Sequence, residues 1–148
     1  MLASKPKIET LFFLTTDCPI SQRYTPEIKR IMKDYAKASD FKLVYEDSGV
    51  EFDVVTKHQT DYKIPGTFSL DKDHGQAKKL KVTVVPTAVV VDDKGNVLYF
   101  GRIDDSYGRD FQWHPTKERD LRNALQAIQK GEKVPVNKTK VIGCTISF

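Results

Sequence analysis

The sequence predicts an α/β protein with a central mixed sheet and helices on both faces of that sheet. Short apolar runs rich in β-branched and aromatic residues alternate with segments in which apolar residues recur at helical spacing. Strands and helices that alternate in this way form crossover units of parallel strands, and a hairpin near the end adds an antiparallel strand. The 148 residues suffice for one domain with a substantial core. We therefore expect residues 1–148 to form one domain, with residues 131–148 as a C-terminal extension.

The first half of the chain is expected to supply three strands and two helices. Residues 8–14 read I-E-T-L-F-F-L, an apolar and β-prone run that is typical of a strand buried on both faces. From Pro19 onwards the apolar residues follow a helical period, and proline suits the first turn of a helix. The further elements predicted here are strands at 41–45 and 67–70, and a helix at 50–62 with Phe52, Val55 and Gln59 along one side.

The second half is expected to supply a short helix, a hairpin and a final helix. Residues 71–80 predict a helix that an aspartate caps at its beginning. The β-prone runs 87–92 and 97–103 flank the turn D-K-G-N, which is typical of a hairpin. The final helix is predicted at 116–130, with Thr116 as its N-cap.

The charge distribution argues against nucleic-acid and membrane partners. The net charge of +4 arises from 24 Lys and Arg against 20 Asp and Glu. The basic residues are spread along the chain, which indicates a solvated surface rather than a nucleic-acid footprint. No segment approaches the ~18 consecutive apolar residues that span a bilayer. We therefore expect no nucleic-acid and no membrane partner, while the oligomeric state stays open.

The cellular compartment is predicted only weakly by the sequence. The apolar run at 8–14 is too short for a signal peptide and contains Glu9. Two cysteines permit one intramolecular disulfide, which suits an oxidising compartment, whereas two reduced thiols suit the cytosol. We favour an extracytoplasmic location, periplasmic or secreted, with any leader absent from this chain, and keep the cytoplasm as the alternative.

Cys18 is the residue that points most directly to a chemistry. It stands between an apolar strand and the start of a helical pattern. At a helix N-terminus, unpaired backbone N–H groups and the helix dipole favour the thiolate. The thiolate is the form that attacks disulfides and peroxides, so the position of Cys18 indicates redox chemistry.

Two strings of the sequence resemble the thioredoxin fold. The string V-V-P-T-A-V-V-V-D-D-K-G-N-V-L-Y-F-G at 84–101 resembles the C-terminal half of that fold, and F-F-L-T-T-D-C-P-I-S resembles the half with the redox motif. Residues 67–80 resemble the insertion of the redoxin-domain (AhpC/TSA and TlpA-like) branch. The resemblance covers residues 8–130. It implies redox homeostasis or antioxidant activity that depends on a reactive cysteine.

Pro86 is predicted to follow a cis peptide bond. A proline that opens a strand is badly placed in a central ladder because it lacks an N–H group. A cis bond between Val85 and Pro86 turns the chain, and it leaves the backbone of Val85 and Thr87 free to pair with an extended substrate. In the family that this chain resembles, the loop packs against the active cysteine. The alternative is a trans proline that merely opens the strand.

Other candidate site residues surround Cys18. Thr15 matches the T-x-x-C motif of peroxiredoxins, in which the hydroxyl orients the peroxide, although it can also be an ordinary threonine at a strand end. Pro19 begins the helix, and Ser21 is expected to donate a hydrogen bond to the sulfur. These three residues join Val85 and Thr87 as the predicted substrate-binding set.

Arg102 is expected at the same edge of the sheet by topology alone. Pro86 begins its strand at the active-site edge, and the hairpin turn lies at the opposite edge. The returning strand therefore brings Arg102 back toward Cys18, where it can stabilise a thiolate, with Asp104 and Asp105 positioning it. The alternative is an ordinary surface ion pair.

The sequence also departs from the patterns that it resembles. Ser21 stands where a C-x-x-C motif has its second cysteine, so the motif alone cannot form a disulfide. Leu11 and Pro86 stand where peroxiredoxins carry a proline and an arginine, which weakens the peroxidase interpretation. Phe12 occupies the place of the buried acid that helps thioredoxins move protons.

Cys144 is the remaining thiol. The tail 134–148 is long enough to cross the domain, so Cys144 can form a disulfide with Cys18, either as a resolving thiol or as a permanent link. The alternative is a buried small hydrophobe. His58, His74 and His114 are isolated and lack metal-ligand spacing, so we expect neither a metal nor a cofactor.

The function expected from the sequence is that of a redoxin-type thiol–disulfide oxidoreductase. Its catalytic residues would be Cys18, Cys144, Pro86 and Arg102, and its partners would be protein or small-molecule thiols and disulfides. Two alternatives remain. One is a thiol peroxidase, and the other is a non-catalytic binding module, which the absence of a second cysteine at Ser21 would favour.

Overall fold

The computed structural model of the chain describes residues 7–48 and 51–148. In this part of the chain the elements follow one another in the predicted alternation. They are β1 (Ile8–Leu14), α1 (Pro19–Asp34), β2 (Asp40–Tyr45), α2 (Phe52–Tyr62), β3 (Thr67–Leu70), α3 (Gly75–Leu80), β4 (Val84–Val85), β5 (Thr87–Asp92), β6 (Val97–Gly101), α4 (Asp120–Gln129) and β7 (Cys144–Thr145).

The central sheet has five strands in the order β3-β2-β1-β5-β6. The pairs β1·β2 and β2·β3 are parallel, whereas β1·β5 and β5·β6 are antiparallel. The mixed α/β sheet confirms the predicted fold class. In this register Leu14 lies opposite Tyr45, and Phe13 lies opposite Thr87. The end of β1, the end of β2 and the start of β5 therefore meet at one edge of the sheet.

The two faces of the sheet are covered differently. One face packs against α1, α2 and α4, through buried residues such as Ile28, Val55 and Leu125. The other face packs against α3, through Ala77, and against the C-terminal segment, through Ile146. Burial of these apolar side chains is the main stabilising contribution to such a fold. The C-terminal segment covers part of the second face, so its residue Ile146 forms part of the hydrophobic core.

The inward side of α2 differs from the prediction. Val55 and His58 are buried, whereas Phe52 is 61% exposed. The prediction that Phe52 lies on the same inward side as Val55 and Gln59 is therefore wrong. The predicted start of this helix at Val50 lies outside the described part of the chain, as do both residues 49 and 50. The side chain of His58 is held inside by the hydroxyl of Tyr45, 3.0 Å from its Nδ1 atom.

The last strand of the sheet and the last helix are shorter than predicted. Strand β6 ends at Gly101 rather than at residue 103, and α4 begins at Asp120 rather than at Thr116. The cause is a set of hydrogen bonds that hold residues 116–118 in an irregular conformation. The hydroxyl of Thr116 pairs with that of Ser106, and the amide of Lys117 donates to the carboxylate of Asp105 over 2.8 Å. Thr116 is therefore not a helix cap.

The C-terminal extension runs back along the domain to the edge where β1 ends. It first lies beside β6, where the amide of Phe100 donates to the carbonyl of Asn137 and the amide of Thr139 donates to the carbonyl of Phe100. It then forms β7, which pairs with β4 in a second, two-stranded sheet. Among residues 7–48 and 51–148, no helix has the length and apolar character needed to cross a membrane.

Candidate functional site

Cys18 and Cys144 are joined by a disulfide. They are 126 positions apart in the sequence, and their Cα atoms lie 6.2 Å apart. Cys18 is 2% exposed and Cys144 is half-buried. The tail therefore delivers the second thiol that the C-x-x-S motif lacks, and the alternative of Cys144 as an isolated buried residue is wrong.

Cys18 is the N-cap of α1. Its backbone is extended, its carbonyl accepts a hydrogen bond from the amide of Gln22, and its Sγ accepts one from the amide of Ser21 at 3.4 Å. Pro19 occupies the first helical position and is exposed. The Ser21 amide, which already donates to Sγ, and the helix dipole would stabilise a negative charge on Sγ once the disulfide is reduced.

The peptide bond between Val85 and Pro86 is cis, as predicted. The carbonyl oxygen of Val85 lies 3.9 Å from Sγ of Cys18. The hydroxyl of Thr87 donates to the carbonyl of Val84 at 2.5 Å, and Thr87 is buried. The loop therefore contacts Cys18, as predicted.

The strand β7 is the direct neighbour of this loop. It pairs antiparallel with β4, so that Cys144 lies opposite Val85 and Thr145 lies opposite Val84. One residue further, the amide of Ile146 donates to the carbonyl of Thr83 over 2.9 Å. The backbone edge predicted to pair with a substrate is thus occupied by the chain's own C-terminal segment.

Thr15 and Ser21 are both buried. The amide of Ser21 contacts the sulfur, but its hydroxyl oxygen has no hydrogen-bond partner among the described residues. Ser21 therefore donates a hydrogen bond to the sulfur, as expected, but through its backbone amide and not through its hydroxyl.

Arg102 forms an ion pair with Asp120, with 2.7 Å between Nε and Oδ2. This ion pair raises the pKa of Arg102 against the opposing effect of its burial. Asp104 and Asp105 do not hold Arg102 by direct contact, because their carboxylates accept hydrogen bonds from Tyr24 and from the amide of Lys117. Of the two, Asp105 acts on Arg102 through its charge. The guanidinium charge is thus already balanced, which favours the alternative of an ordinary ion pair.

A buried acidic group at the end of β2 was missed by the sequence analysis. Glu46 follows Tyr45 directly and is 1% exposed. Its Oε1 lies 2.8 Å from Nδ1 of His74, which is also buried. Its Oε2 has no donor among the described residues. The available signal was a glutamate directly after the strand F-K-L-V-Y, at the carboxyl end where such sheets place polar groups.

The surroundings of Glu46 favour its neutral form. Burial and the nearby carboxylates of Asp71, Asp73 and Asp47 raise the pKa of Glu46 to about 9. The lack of a donor to Oε2 fits a protonated carboxyl group that faces another carboxylate. The pKa of Asp71 is lowered, although its own burial opposes this, because the neighbouring Glu46 side chain and hydrogen bonds from two amides of α3 favour its charged form.

The C-terminal segment also contacts His74, the partner of this acidic group. Ile146 is 4% exposed in the same apolar cluster as Cys18, and the ring of Phe148 packs edge-on against His74 at 5.2 Å. The hydroxyl of Ser48 donates to the carbonyl of Ser147 at 3.1 Å. The disulfide, the pairing with β4 and the contact with His74 therefore all belong to one short segment.

The histidines do not form a metal centre in the described part of the chain. No group of three or more potential ligands lies close enough together there. His58 pairs with Tyr45, His74 with Glu46, and His114 with Asp110 at 2.9 Å.

The sequence and the fold assign the protein to a family. Residues 6–97, more than half of the chain, match the family described as thioredoxin-like. The chain belongs to the thioredoxin-like family. This confirms the resemblance stated above, and no curated protein matches the sequence.

Solved structures share the fold of this thioredoxin-like protein. An uncharacterized conserved protein from Geobacillus kaustophilus has a TM-score of 0.84 and 22% identity, over 97% of this chain and 79% of the other. A hypothetical protein from Sinorhizobium meliloti 1021 has a TM-score of 0.82 and 21% identity, over 96% and 80%. A secreted disulfide oxidoreductase from Mycobacterium tuberculosis, homologous to E. coli DsbE, has a TM-score of 0.58 and 16% identity, over 84% and 81%.

Proposed function

We propose that this protein is a thiol–disulfide oxidoreductase in which Cys18 is the nucleophile and Cys144 the resolving thiol. The observation that carries the proposal is the Cys18–Cys144 disulfide, located at the N-terminus of α1 and beside the Val85–Pro86 loop. The similarity in fold to the secreted Mycobacterium tuberculosis disulfide oxidoreductase supports the class of reaction.

The proposed reaction begins with the reduced protein. The Cys18 thiolate attacks one sulfur of a substrate disulfide, the substrate S–S bond breaks, and the released substrate thiolate takes up a proton. The Cys144 thiolate then attacks Sγ of Cys18, which releases the second substrate thiol and forms the observed disulfide. Two electrons pass from the protein to the substrate. An external thiol regenerates the dithiol, and the same steps in reverse oxidise a substrate dithiol.

The groups around the sulfur have distinct roles in this proposal. The amides at the start of α1 stabilise the Cys18 thiolate, both as nucleophile and as leaving group. The backbone of Val85 aligns an extended partner, as it aligns Cys144. Thr15, Pro19, Ser21 and Thr87 shape the surroundings of the sulfur.

The proposed location is an oxidising compartment outside the cytoplasm. A disulfide that links the helix N-terminus to the C-terminal segment persists where thiols are not kept reduced. The Mycobacterium tuberculosis protein of similar fold is described as secreted, which agrees with this proposal. The proposed partners are protein or small-molecule thiols and disulfides.

The alternatives are distinguished by what they require of Cys18. A thiol peroxidase would use Thr15, which lies buried three positions before the cysteine, to orient a peroxide. A non-catalytic binding module was favoured by the single cysteine of the C-x-x-S motif, and Cys144 removes that argument.

Reduction of insulin by a thiol donor tests the proposal. We expect the wild-type protein to accelerate the reaction and Cys18→Ser to lose the acceleration. Equal rates with both proteins would overturn the proposal. Rapid oxidation of reduced Cys18 by one equivalent of hydrogen peroxide, without insulin reduction, would support the peroxidase instead.

A further inference from the structure

We propose that the C-terminal segment Gly143–Phe148 marks the binding site of the protein's substrate, an extended polypeptide with the pattern Gly-Cys-x-aliphatic-x-aromatic. This inference rests on the proposed function, because it names the partner of the same disulfide exchange. The segment is joined to Cys18 by the bond that a substrate cysteine would form. Its contacts therefore indicate which side chains a competing partner must present.

The backbone contacts set the register of such a partner. The pairs Cys144↔Val85 and Thr145↔Val84 belong to an antiparallel ladder that the Ile146 amide continues to the Thr83 carbonyl. A second polypeptide can replace this ladder by strand addition, in which backbone hydrogen bonds give affinity and alternate side chains give specificity. Successive side chains of the segment face opposite sides: Thr145 is exposed, whereas Ile146 is buried.

The position before the cysteine admits only glycine. A Cβ atom placed on Gly143 would lie 3.0 Å from the carbonyl carbon of Val85 and closer still to its oxygen. These are backbone atoms of the loop that contacts Cys18, so they cannot move aside as a flexible side chain would. A partner with a larger residue here would be displaced from the sulfur.

The position two residues after the cysteine requires an aliphatic side chain. Ile146 is 4% exposed and packs in the apolar cluster that contains Cys18, Val85 and Val44. Burying an aliphatic side chain of this size stabilises a complex relative to leaving it exposed. A charged residue at this position would lose that contribution and be desolvated without a partner.

The position four residues after the cysteine favours an aromatic ring. The ring of Phe148 packs edge-on against His74 at 5.2 Å, and Nζ of Lys78 lies 5.9 Å from its centroid. The carbonyl of Ser147 accepts a hydrogen bond from Ser48 and holds the segment in place. The sequence G-C-T-I-S-F carries no charged side chain, in agreement with a site that selects apolar segments.

The occupied edge also implies that the partner competes with the protein's own segment. In the disulfide form Cys18 is covered, and reduction breaks the covalent link that holds the segment. The segment then remains through non-covalent contacts, which are its ladder, its apolar contacts and the hydrogen bond from Ser48. A partner of the same pattern gains access when the segment dissociates, and loosening the segment should therefore accelerate its reaction.

The test uses a synthetic peptide with the sequence of residues 140–148, its cysteine linked to thionitrobenzoate. Attack by the Cys18 thiolate on the peptide sulfur forms the mixed disulfide and releases coloured thionitrobenzoate. Two variants of the protein are compared. The single variant Cys144→Ser retains one thiol, and the double variant Cys144→Ser with Ile146→Asp also has a loosened segment. Matched peptides carry Gly143→Ala, Ile146→Asp, Phe148→Ala or, as a control at an exposed position, Thr145→Ala.

We expect the parent peptide and its Thr145→Ala form to react at least tenfold faster than the peptides with Gly143→Ala or Ile146→Asp, with Phe148→Ala in between. The loosened variant should react faster than Cys144→Ser alone. Because the single variant keeps the native segment, the order of the peptides can be read from it even if the double variant does not fold.

Ellman's reagent, which has no peptide, distinguishes failure of the proposed substrate pattern from failure of the proposed function. Equal rates for all peptides, with rapid reaction of Cys18 with Ellman's reagent, would overturn the substrate pattern and leave the oxidoreductase intact. A Cys18 that reacts neither with the peptides nor with Ellman's reagent would overturn the proposed function itself.

Discussion

Cys144 and Val85 lie directly opposite one another in the antiparallel pair of β7 and β4. The same Cys144 is bonded to Cys18, whose sulfur lies 3.9 Å from the carbonyl oxygen of Val85. The loop before Pro86 therefore positions both partners of the disulfide, one through backbone pairing and one through contact. Several measurable consequences depend on this arrangement.

The disulfide should contribute strongly to the stability of the oxidised protein. Because it closes a loop with a sequence separation of 126, the chain-entropy estimate is about 4–5 kcal/mol. We expect Cys144→Ser to lower the free energy of unfolding by roughly that amount under oxidising conditions. Urea denaturation measures it, and in excess reductant the wild type and the variant should become nearly equal. A gap of the same size in both conditions would contradict the account.

The two thiols should differ in reactivity once separated. Cys18 lies at the N-cap of α1 and accepts a hydrogen bond from the Ser21 amide, whereas Cys144 lies in a two-residue strand. The rate of alkylation by iodoacetamide is measured against pH, for Cys18 in Cys144→Ser and for Cys144 in Cys18→Ser. We expect this rate to rise at lower pH for Cys18 than for Cys144. Coincident pH profiles would show that the helix N-terminus does not favour the thiolate.

Glycine at position 143 should be required for closing the disulfide. Because a Cβ atom there would meet the backbone of Val85, Gly143→Ala should push β7 away from β4. We expect the disulfide fraction at equilibrium in glutathione buffers to fall severalfold relative to wild type. Thr145→Ala, at the exposed neighbouring position, is the matched control and should leave this fraction unchanged.

The buried carboxyl group of Glu46 should make stability depend on pH. Its pKa is raised from 4.5 to about 9, first by burial and then by Asp71 and the other nearby carboxylates. Between these two values the folded state holds a proton that the unfolded state has released, so stability should fall as pH rises. The slope from this group is at most about 1.4 kcal/mol per pH unit.

Chemical denaturation between pH 5 and 9 checks this expectation. Glu46→Gln keeps a neutral group of similar shape, so its stability should decline less steeply with pH than that of the wild type. Glu132→Gln, at an exposed position, serves as the control and should follow the wild type. Parallel curves for wild type and Glu46→Gln would show that Glu46 is not protonated when folded.

Local sequence patterns were sufficient to predict the fold and the part of the site formed by Cys18 and the loop before Pro86. The apolar run before Cys18, the helical period after it and the proline before the strand at 87–92 are all short-range features. Each corresponds to an observed element, including the cis bond at Pro86. Such features can be recognised because hydrophobic period and turn chemistry act within a few residues.

Features that depend on distant contacts could not be predicted in the same way. The pairing of Cys144 with Cys18 depends on the path of the tail, and two cysteines in a sequence do not reveal whether they meet. The Glu46–His74 pair joins residues 28 positions apart, so no local period reveals it. Thr116 had the chemistry of a helix cap, but Ser106 and the adjoining loop engage it before the helix begins.

The most direct test is to trap the reaction between its two steps. Reduced Cys144→Ser, mixed with oxidised insulin and examined by non-reducing mass spectrometry, should carry an insulin chain covalently bound at Cys18. The wild type should release reduced insulin and gain the Cys18–Cys144 disulfide. If the variant forms no adduct at Cys18, or the wild type reduces insulin without forming that disulfide, the assignment of nucleophile and resolving thiol is wrong.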